Sequence, residues 1–333
     1  MSTPLPLGLS PYISPTILQQ APTGIDWTSI TPWDDATPAQ NQAEIWNLCA
    51  RATSKVDSYC NQTLRATLDT ELLHGPDFKV TSGPGAGGGS PTPYWGTAGF
   101  NSRLVLSRWP VLEVINVQTC PNSLFPRQWT SIPTGYYEPE VPPLGLYGSA
   151  TPGGSAQGGQ AIIVAPGYIN WALGRNGWAI LVTYMNGWPH TEISEFAAAG
   201  TTTVMVDDIT GWGIANYFNT FTGATGVIRD AGQQEGVHVT SVTPVSGTLN
   251  SGPGTLTLSA ATVYPHQAGT LISTLPASIE EACILFATAD ALTRGATSTT
   301  IHDIGGHSQF SGGDIVGLNT EAELLCHPYR RTV

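Results

Sequence analysis

The chain has 333 residues, of which only 11% are charged, with 38 glycines, 26 prolines and a formal net charge of −12. A length of that order holds one large core or two smaller ones. The glycine and proline content argues against a helical bundle and for short strands and turns. Only two lysines, Lys55 and Lys79, are present, which excludes a surface that tracks nucleic-acid phosphates.

The start, Met1-Ser-Thr-Pro-Leu-Pro, carries no basic and apolar leader, and no run of eighteen apolar residues occurs. The expectation is a soluble, non-secreted chain without a membrane partner. The five cysteines, at 49, 60, 120, 283 and 326, form no Cys-x-x-Cys pair, and Cys49 and Cys60, on one predicted helix, stand about 16 Å apart at its rise per residue. That is too far for a disulfide, so they read as core thiols.

Residues 1–36 form a proline-rich N-terminal arm in which Tyr12, Ile13, Ile17, Leu18, Ile25, Trp27 and Ile30 punctuate the prolines. So many prolines preclude a long helix, yet the apolar content is too high for a solvated tail. The arm therefore lies on a surface, either that of another chain or its own.

Thr37-Pro38-Ala39-Gln40 opens the first helix with a cap hydroxyl, a proline in the first turn and a glutamine three residues after the cap. Ile45, Leu48, Cys49, Ala52, Val56, Tyr59 and Cys60 make one apolar stripe, which is expected to pack on the strands that follow. Glu44, Asn47, Arg51 and Lys55 fall off the stripe and are left for solvent or a neighbouring subunit.

Thr67 to His74 reads as a strand, and Gly83 to Ser90 as a flexible glycine loop without the Lys-Ser/Thr of a phosphate cradle. Ser102 to Val117 then alternates on both sides of Trp109-Pro110, which predicts two strands joined at a proline corner. A loop over 139–159 and a strand over Trp178–Tyr184 follow. Residues 197–274 change to short Thr/Val/Gly strands at regular intervals, an inserted small barrel or sandwich. Ser278-Ile-Glu-Glu281 has the spacing of a second capping box, and Ile279, Ala282, Cys283, Phe286, Ala287 and Leu292 share a helix face. Residues 296–333 read as a C-terminal arm with a basic end.

The fold class expected is α+β: helices on a small, mainly antiparallel sheet, an inserted all-β subdomain and extended terminal arms. The core spans 37–196 plus 275–295.

Signals for chemistry are weak. His302, Asp303, His307 and Asp314 lie in a glycine-rich stretch that offers no frame for a metal. Gly306-His307-Ser308-Gln309-Phe310 fails as a serine-hydrolase elbow. Glu138 with Glu140 and Asp207 with Asp208 are carboxylates at turn spacing, with nothing to set them across a cleft. The tryptophans read as core or interface residues. No catalytic residue, metal ligand or cofactor is expected. A carbohydrate-binding tail or baseplate protein, suggested by the tryptophans and the β insertion, is the alternative function, with glycoside hydrolysis behind it.

The ordered pieces carry a resemblance. A capped helix ends near Asn61-Gln62-Thr63-Leu64; Arg103 to Val117 and Trp178-Ala-Ile-Leu-Val-Thr-Tyr-Met-Asn-Gly-Trp188 follow; and a helix opens at Leu275-Pro-Ala-Ser-Ile-Glu-Glu-Ala-Cys283. This order resembles the head-tail connector (adaptor) proteins of long-tailed bacteriophages, over roughly residues 37–189 and 275–295. In compact members the strand end runs almost directly into the proline-led helix; here that junction is opened by the β-rich insertion.

The resemblance implies a non-enzymatic structural ring, typically of twelve copies, under the portal protein in the neck of the virion, assembled in the host cytoplasm. It implies a docking platform for a stopper or tail-completion protein and a lumen through which DNA passes without specific binding. It also implies a portal-binding terminal arm, placed on Glu321, Leu324, Leu325, Pro328, Tyr329, Arg330 and Arg331. The helix faces with Glu44, Asn47, Arg51, Lys55, Glu280 and Glu281 would then supply inter-subunit contacts.

Overall fold

The computed structural model describes residues 10–30, 37–74, 102–121, 126–139, 161–164, 178–213, 224–230, 232–245, 251–294 and 312–331. The glycine loop at 83–90, most of the 139–159 loop and the His302–His307 stretch lie outside them. The architecture is α+β, with antiparallel sheets throughout.

The helices are α1 (Pro15–Gln20), α2 (Pro38–Cys60), α3 (Ala277–Thr293) and α4 (Gly312–Cys326). At the start of α2 the Thr37 hydroxyl accepts from the Gln40 amide at 3.3 Å and the Thr37 amide donates back to Gln40 Oε1 at 2.8 Å. Its end is set by Asn61, at φ 53°, whose conformation lets the Asn61 and Gln62 amides reach the Ser58 and Asp57 carbonyls. The stripe Ile45, Leu48, Cys49, Ala52, Val56 and Cys60 is buried as the periodicity predicts. What covers it differs from the expectation: α3, α4 and the N-terminal segment, rather than the strands that follow α2, complete that core.

Two regions expected as arms are part of this core. Residues 10–30 form a strap over α2, burying Tyr12, Ile13, Leu18, Ile25, Trp27 and Ile30. Tyr12 donates its amide to Thr53 Oγ1 at 2.9 Å and its hydroxyl to Asp57 Oδ1 at 2.5 Å, and Asn41 Nδ2 donates to the Trp27 carbonyl at 2.5 Å. At the other end, residues 312–331 are no extended arm: α4 and the turn His327–Tyr329 bury Ala322, Cys326 and Tyr329 in the same core.

Helix α3 begins at Ala277, with Pro276 in the cap position and no side-chain cap. Ser278 therefore sits inside the first turn and cannot close the predicted capping box. Its hydroxyl instead meets the Tyr329 hydroxyl at 3.1 Å.

The next layer is a pair of sheets sharing one core. The first contains β1 (Thr67–His74), β3 (Val111–Pro121), β4 (Thr130–Ser131) and β7 (Trp178–Asn186), in the order β1-β7-β3-β4. The second contains β2 (Ser102–Val105), β5 (Tyr137–Pro139) and β6 (Ala161–Val164), in the order β2-β6-β5. The predicted corner at Trp109-Pro110, a cis peptide, thus passes the chain from one sheet to the other. Helices and sheets meet where Trp188 donates its amide to the Leu64 carbonyl at 2.8 Å and accepts from the Ala66 amide at 2.7 Å. Gly187 makes this join possible: at φ +93°, a Cβ would stand 2.4 Å from the Arg65 carbonyl oxygen.

The insertion is a six-stranded sheet, ordered β8-β13-β10-β11-β12-β9, of β8 (His190–Glu192), β9 (Thr203–Val206), β10 (Thr225–Arg229), β11 (Glu235–Pro244), β12 (Gly254–Leu258) and β13 (Leu271–Ser273). Its ends join: Ser194 donates to Met205 O at 2.9 Å and Asp207 to Glu192 O at 3.0 Å, with a bridge between Ile193 and Val206. The sheet is a closed barrel around Val204, Val206, Trp212, Ile228, Val239 and Leu256. It begins at His190, seven residues ahead of the predicted boundary, because the short strand His190–Glu192 pairs with β13. No helix among the described residues is long and apolar enough to cross a membrane.

Candidate functional site

The outer face of the helical core carries a charged ladder. Glu44 Oε1 accepts from Arg51 at 2.9 Å and from Arg294 at 2.6 Å, and Asn47 Nδ2 donates to Glu44 Oε2 at 3.1 Å. Asp290 pairs with Lys55 and lies 3.8 Å from Arg51 Nε. Burial alone would raise the Glu44 carboxyl, but the hydrogen bonds of Asn47 and Arg51 and the charges of Arg51 and Arg294 hold it below the usual glutamate range. The four α2 residues expected at a subunit contact are therefore engaged with one another and with α3 of their own chain. Partly exposed pairs of this kind contribute at most about 1 kcal/mol each.

Glu280 is likewise committed within the chain. It faces Arg229 of the barrel at 2.5 Å, both side chains largely buried, although the two groups are not aligned as a hydrogen bond. Burial raises the Glu280 carboxyl above its ordinary value in spite of Arg229. Glu281 is exposed.

The C-terminal segment is anchored by aromatics. Tyr329 stacks on Trp109 with ring centroids 6.2 Å apart and meets the edge of Trp188 at 5.6 Å, and the two tryptophans meet edge to face at 5.6 Å. Gln62 Nε2 donates to the Tyr329 carbonyl at 2.9 Å, and the Arg331 amide donates to Cys60 O at 2.8 Å. The Arg330 guanidinium lies 5.4 Å from the Tyr59 ring centre. Of the residues expected to reach a partner, Tyr329 is buried, Leu325 half-buried, and Arg330 and Arg331 are held against α2; Glu321, Leu324 and Pro328 are exposed. The nest itself escaped the sequence reading, though its signal was present: both tryptophans precede a proline, at Trp109-Pro110 and Trp188-Pro189.

Beside this segment an open groove of about 700 Å³ runs between α2, α3 and α4, lined by Arg51, Lys55, Ser58, Tyr59, Asn319 and Glu323 among others. Its charged lining is two cations, Arg51 and Lys55, and one carboxylate, Glu323, which makes a polar surface of mixed sign.

A third feature is the outer face of the first sheet. Over the first part of β1 the usual alternation is inverted: Leu68 and Leu72 are 52% and 39% exposed, while Asp69 and Glu71 point inward, before Leu73 returns to the core. Asp69 Oδ2 accepts from Asn186 Nδ2 at 2.6 Å and faces Arg108 at 3.5 Å. Glu71 Oε2 accepts from the Tyr184 hydroxyl and the Ser107 amide, both at 2.9 Å. These bonds fix the register, since a slip of one residue would turn every side chain over. Half-buried Leu181, opposite Leu72, and exposed Ile115 extend the apolar outer face.

In the barrel, buried His266 stands between Asp230, 3.2 Å from Nδ1, and Glu235, 2.6 Å from Nε2. Glu235 also accepts from the Val263 amide at 2.7 Å. Its carboxyl is held below the usual range because these bonds outweigh its burial. The cluster clamps the loop before β13 onto the β10–β11 hairpin, with no nucleophile in the contacts it makes. Asp208 serves a turn: its Oδ1 accepts from the amides of Thr210 and Gly252 and from the Thr210 hydroxyl. Among the described residues no group of three or more His, Cys, Asp or Glu side chains is arranged to hold a metal. The side chains of His302, Asp303, His307 and Asp314 lie outside them, as do those of Glu138 and Glu140.

Comparison of the chain with protein-family models, with curated proteins and with solved structures returned no match in any of the three.

Proposed function

We propose that this chain is a structural adaptor of the bacteriophage neck, assembling as a ring under the portal and offering its other side to a stopper or tail-completion protein. The observation that carries the reading is the stem of the barrel. Thr274 and Pro189 are hydrogen-bonded to each other, and His190 lies 2.9 Å from Ser273. Taking out residues 190–273 would return Asn186-Gly187-Trp188-Pro189 through Thr274 alone to Leu275-Pro276 and the helix behind it. That is the compact connector order which the sequence resembles.

Two further features support it. A face with outward leucines and inward carboxylates is suited to being covered by a neighbouring subunit. A chain of net charge −12 repels DNA phosphates over about 8 Å at physiological salt, as a conduit for DNA needs. Within the C-terminal segment, portal contact falls to Glu321, Leu324 and Pro328, while Tyr329, Leu325, Arg330 and Arg331 hold the segment in place.

Mixing the purified chain with the portal protein of its phage and imaging the mixture by electron microscopy tests the proposal. A ring of subunits stacked on the portal is expected, and mass photometry should give a defined multiple of the chain. A monomer that leaves the portal bare would overturn it.

A further inference from the structure

Three helices bring cysteines into one core: Cys60 at the end of α2, Cys283 in α3 and Cys326 at the end of α4, all fully buried and all free thiols. Two of them are in direct contact. The Cys60 thiol donates to the backbone carbonyl oxygen of Cys326, with Sγ 3.8 Å from that oxygen. The backbones beside them are already tied, since the Arg331 amide binds Cys60 O at 2.8 Å.

We propose that Cys60 and Cys326 form a redox staple, closed by a small-molecule disulfide such as oxidised glutathione, which locks the C-terminal helix α4 onto α2. This inference stands on the helical core and does not depend on the adaptor reading.

The chemistry is a two-step exchange. The Cys326 thiolate attacks one sulfur of oxidised glutathione, forming a mixed disulfide and releasing one glutathione thiolate. Cys60 gives its proton to solvent and attacks the Cys326 sulfur, expelling the second glutathione. Two protein thiols are oxidised to one disulfide, and one glutathione disulfide is reduced to two thiols. The order follows from the surroundings: the Cys60 proton is engaged with the Cys326 carbonyl, whereas Cys326 sits in the last turn of α4 and is uncovered when that helix opens. Cys326 is thus the thiol of the pair that meets the oxidant first.

Since both sulfurs are buried, the oxidant enters when α4 opens locally, and closure traps the product. Cys49 stands eleven residues before Cys60 on α2, about 16 Å away, and neither it nor Cys283 takes part in the Cys60–Cys326 hydrogen bond. The closed loop would run from residue 60 to residue 326, and long loops gain most from a cross-link in the chain-entropy account.

Incubation of the full chain with oxidised glutathione, followed by alkylation and peptide mapping, tests this. The expected product has lost two hydrogens, keeps three alkylatable thiols and yields one cross-linked peptide pair containing Cys60 and Cys326. Limited proteolysis should release the 312–331 segment at least about tenfold more slowly after oxidation. The Cys283→Ala variant should still cross-link, and Cys60→Ala should stop at a glutathione adduct on Cys326. Five alkylatable thiols after oxidation, a cross-link through Cys49 or Cys283, or a lasting adduct on Cys326 in the unaltered chain would each overturn the proposal.

Discussion

Thr274 donates both its amide and its hydroxyl to one acceptor, the carbonyl oxygen of Pro189, at 2.9 and 3.1 Å. The polypeptide therefore leaves the core and rejoins it at one point, and the barrel closes on itself beyond that point. Replacing residues 190–273 by a short Gly-Ser linker should leave the helical core folded. The excision strips Glu280 of Arg229, so the variant should carry Glu280→Gln to avoid an unpaired buried carboxylate. Retained helical circular dichroism and a cooperative thermal transition are expected; loss of both would mean that the barrel is integral to the core.

The Arg229–Glu280 contact joins barrel to helix, and its removal should be asymmetric. Arg229→Met or Glu280→Ala alone leaves one charge buried without its partner, at a cost of about 3–5 kcal/mol, while an apolar double replacement should come close to neutral. A double-mutant cycle by urea unfolding measures this. Equal and additive losses would place the two side chains in effective contact with water.

His190 gives the fold a pH dependence. Its Nε2 lies 3.0 Å from the Pro11 carbonyl, which only accepts, so Nε2 carries the proton and Nδ1 accepts from the Ser273 hydroxyl at 2.9 Å. Burial, aided by the charges of Arg65 and Arg229 and opposed by the Pro11 carbonyl, lowers its pKa from 6.5 to about 4. The unfolded chain thus binds a proton that the folded chain refuses. Stability is whole above pH 6.5 and falls as pH drops toward about 4, by about 3 kcal/mol. Urea midpoints should decline over that window in the wild type and decline less in His190→Gln.

What the sequence made legible follows the reach of each signal. The limits of α2 were readable because cap chemistry and a stripe of apolar residues are both local, and β12 because Gly254 to Leu258 alternates between clear turns. Helix α4 was hidden by Gly312, Gly313 and Gly317, and its buried face rests on little more than Ala322 and Cys326. The strap over 10–30 was readable as surface-bound, but its proline-rich sequence does not say which surface. At the candidate site, the sequence could place Glu44 and Lys55 off the stripe. It could not show that Arg294 and Asp290, some 250 residues on, stand opposite them.

The inverted strand β1 yields a prediction for assembly. Leu68 and Leu72 make no contribution to the inner core, so Leu68→Glu with Leu72→Glu should shift the unfolding midpoint little, within the usual range of about 0.5 kcal/mol for exposed sites. If this face is covered by a neighbour, the same pair should abolish ring formation on the portal. An intact ring of the double variant, seen by electron microscopy, would move the subunit contact elsewhere.

The C-terminal segment separates anchoring from contact. Tyr329→Ala removes a ring packed between Trp109 and Trp188 and should cost about 3–5 kcal/mol, as large aromatic truncations in cores do. Because two indoles line the vacated site, tryptophan fluorescence should shift to longer wavelength, and proteases should release residues 312–331 faster. Tyr329→Phe removes only the hydroxyl that meets Ser278, worth about 1 kcal/mol. Leu324→Glu, at a side chain 68% exposed, should leave fluorescence and proteolysis unchanged while weakening attachment to the portal. If attachment instead tracks Tyr329→Ala alone and ignores Leu324→Glu, the segment serves to brace the helical core, and the portal meets another face.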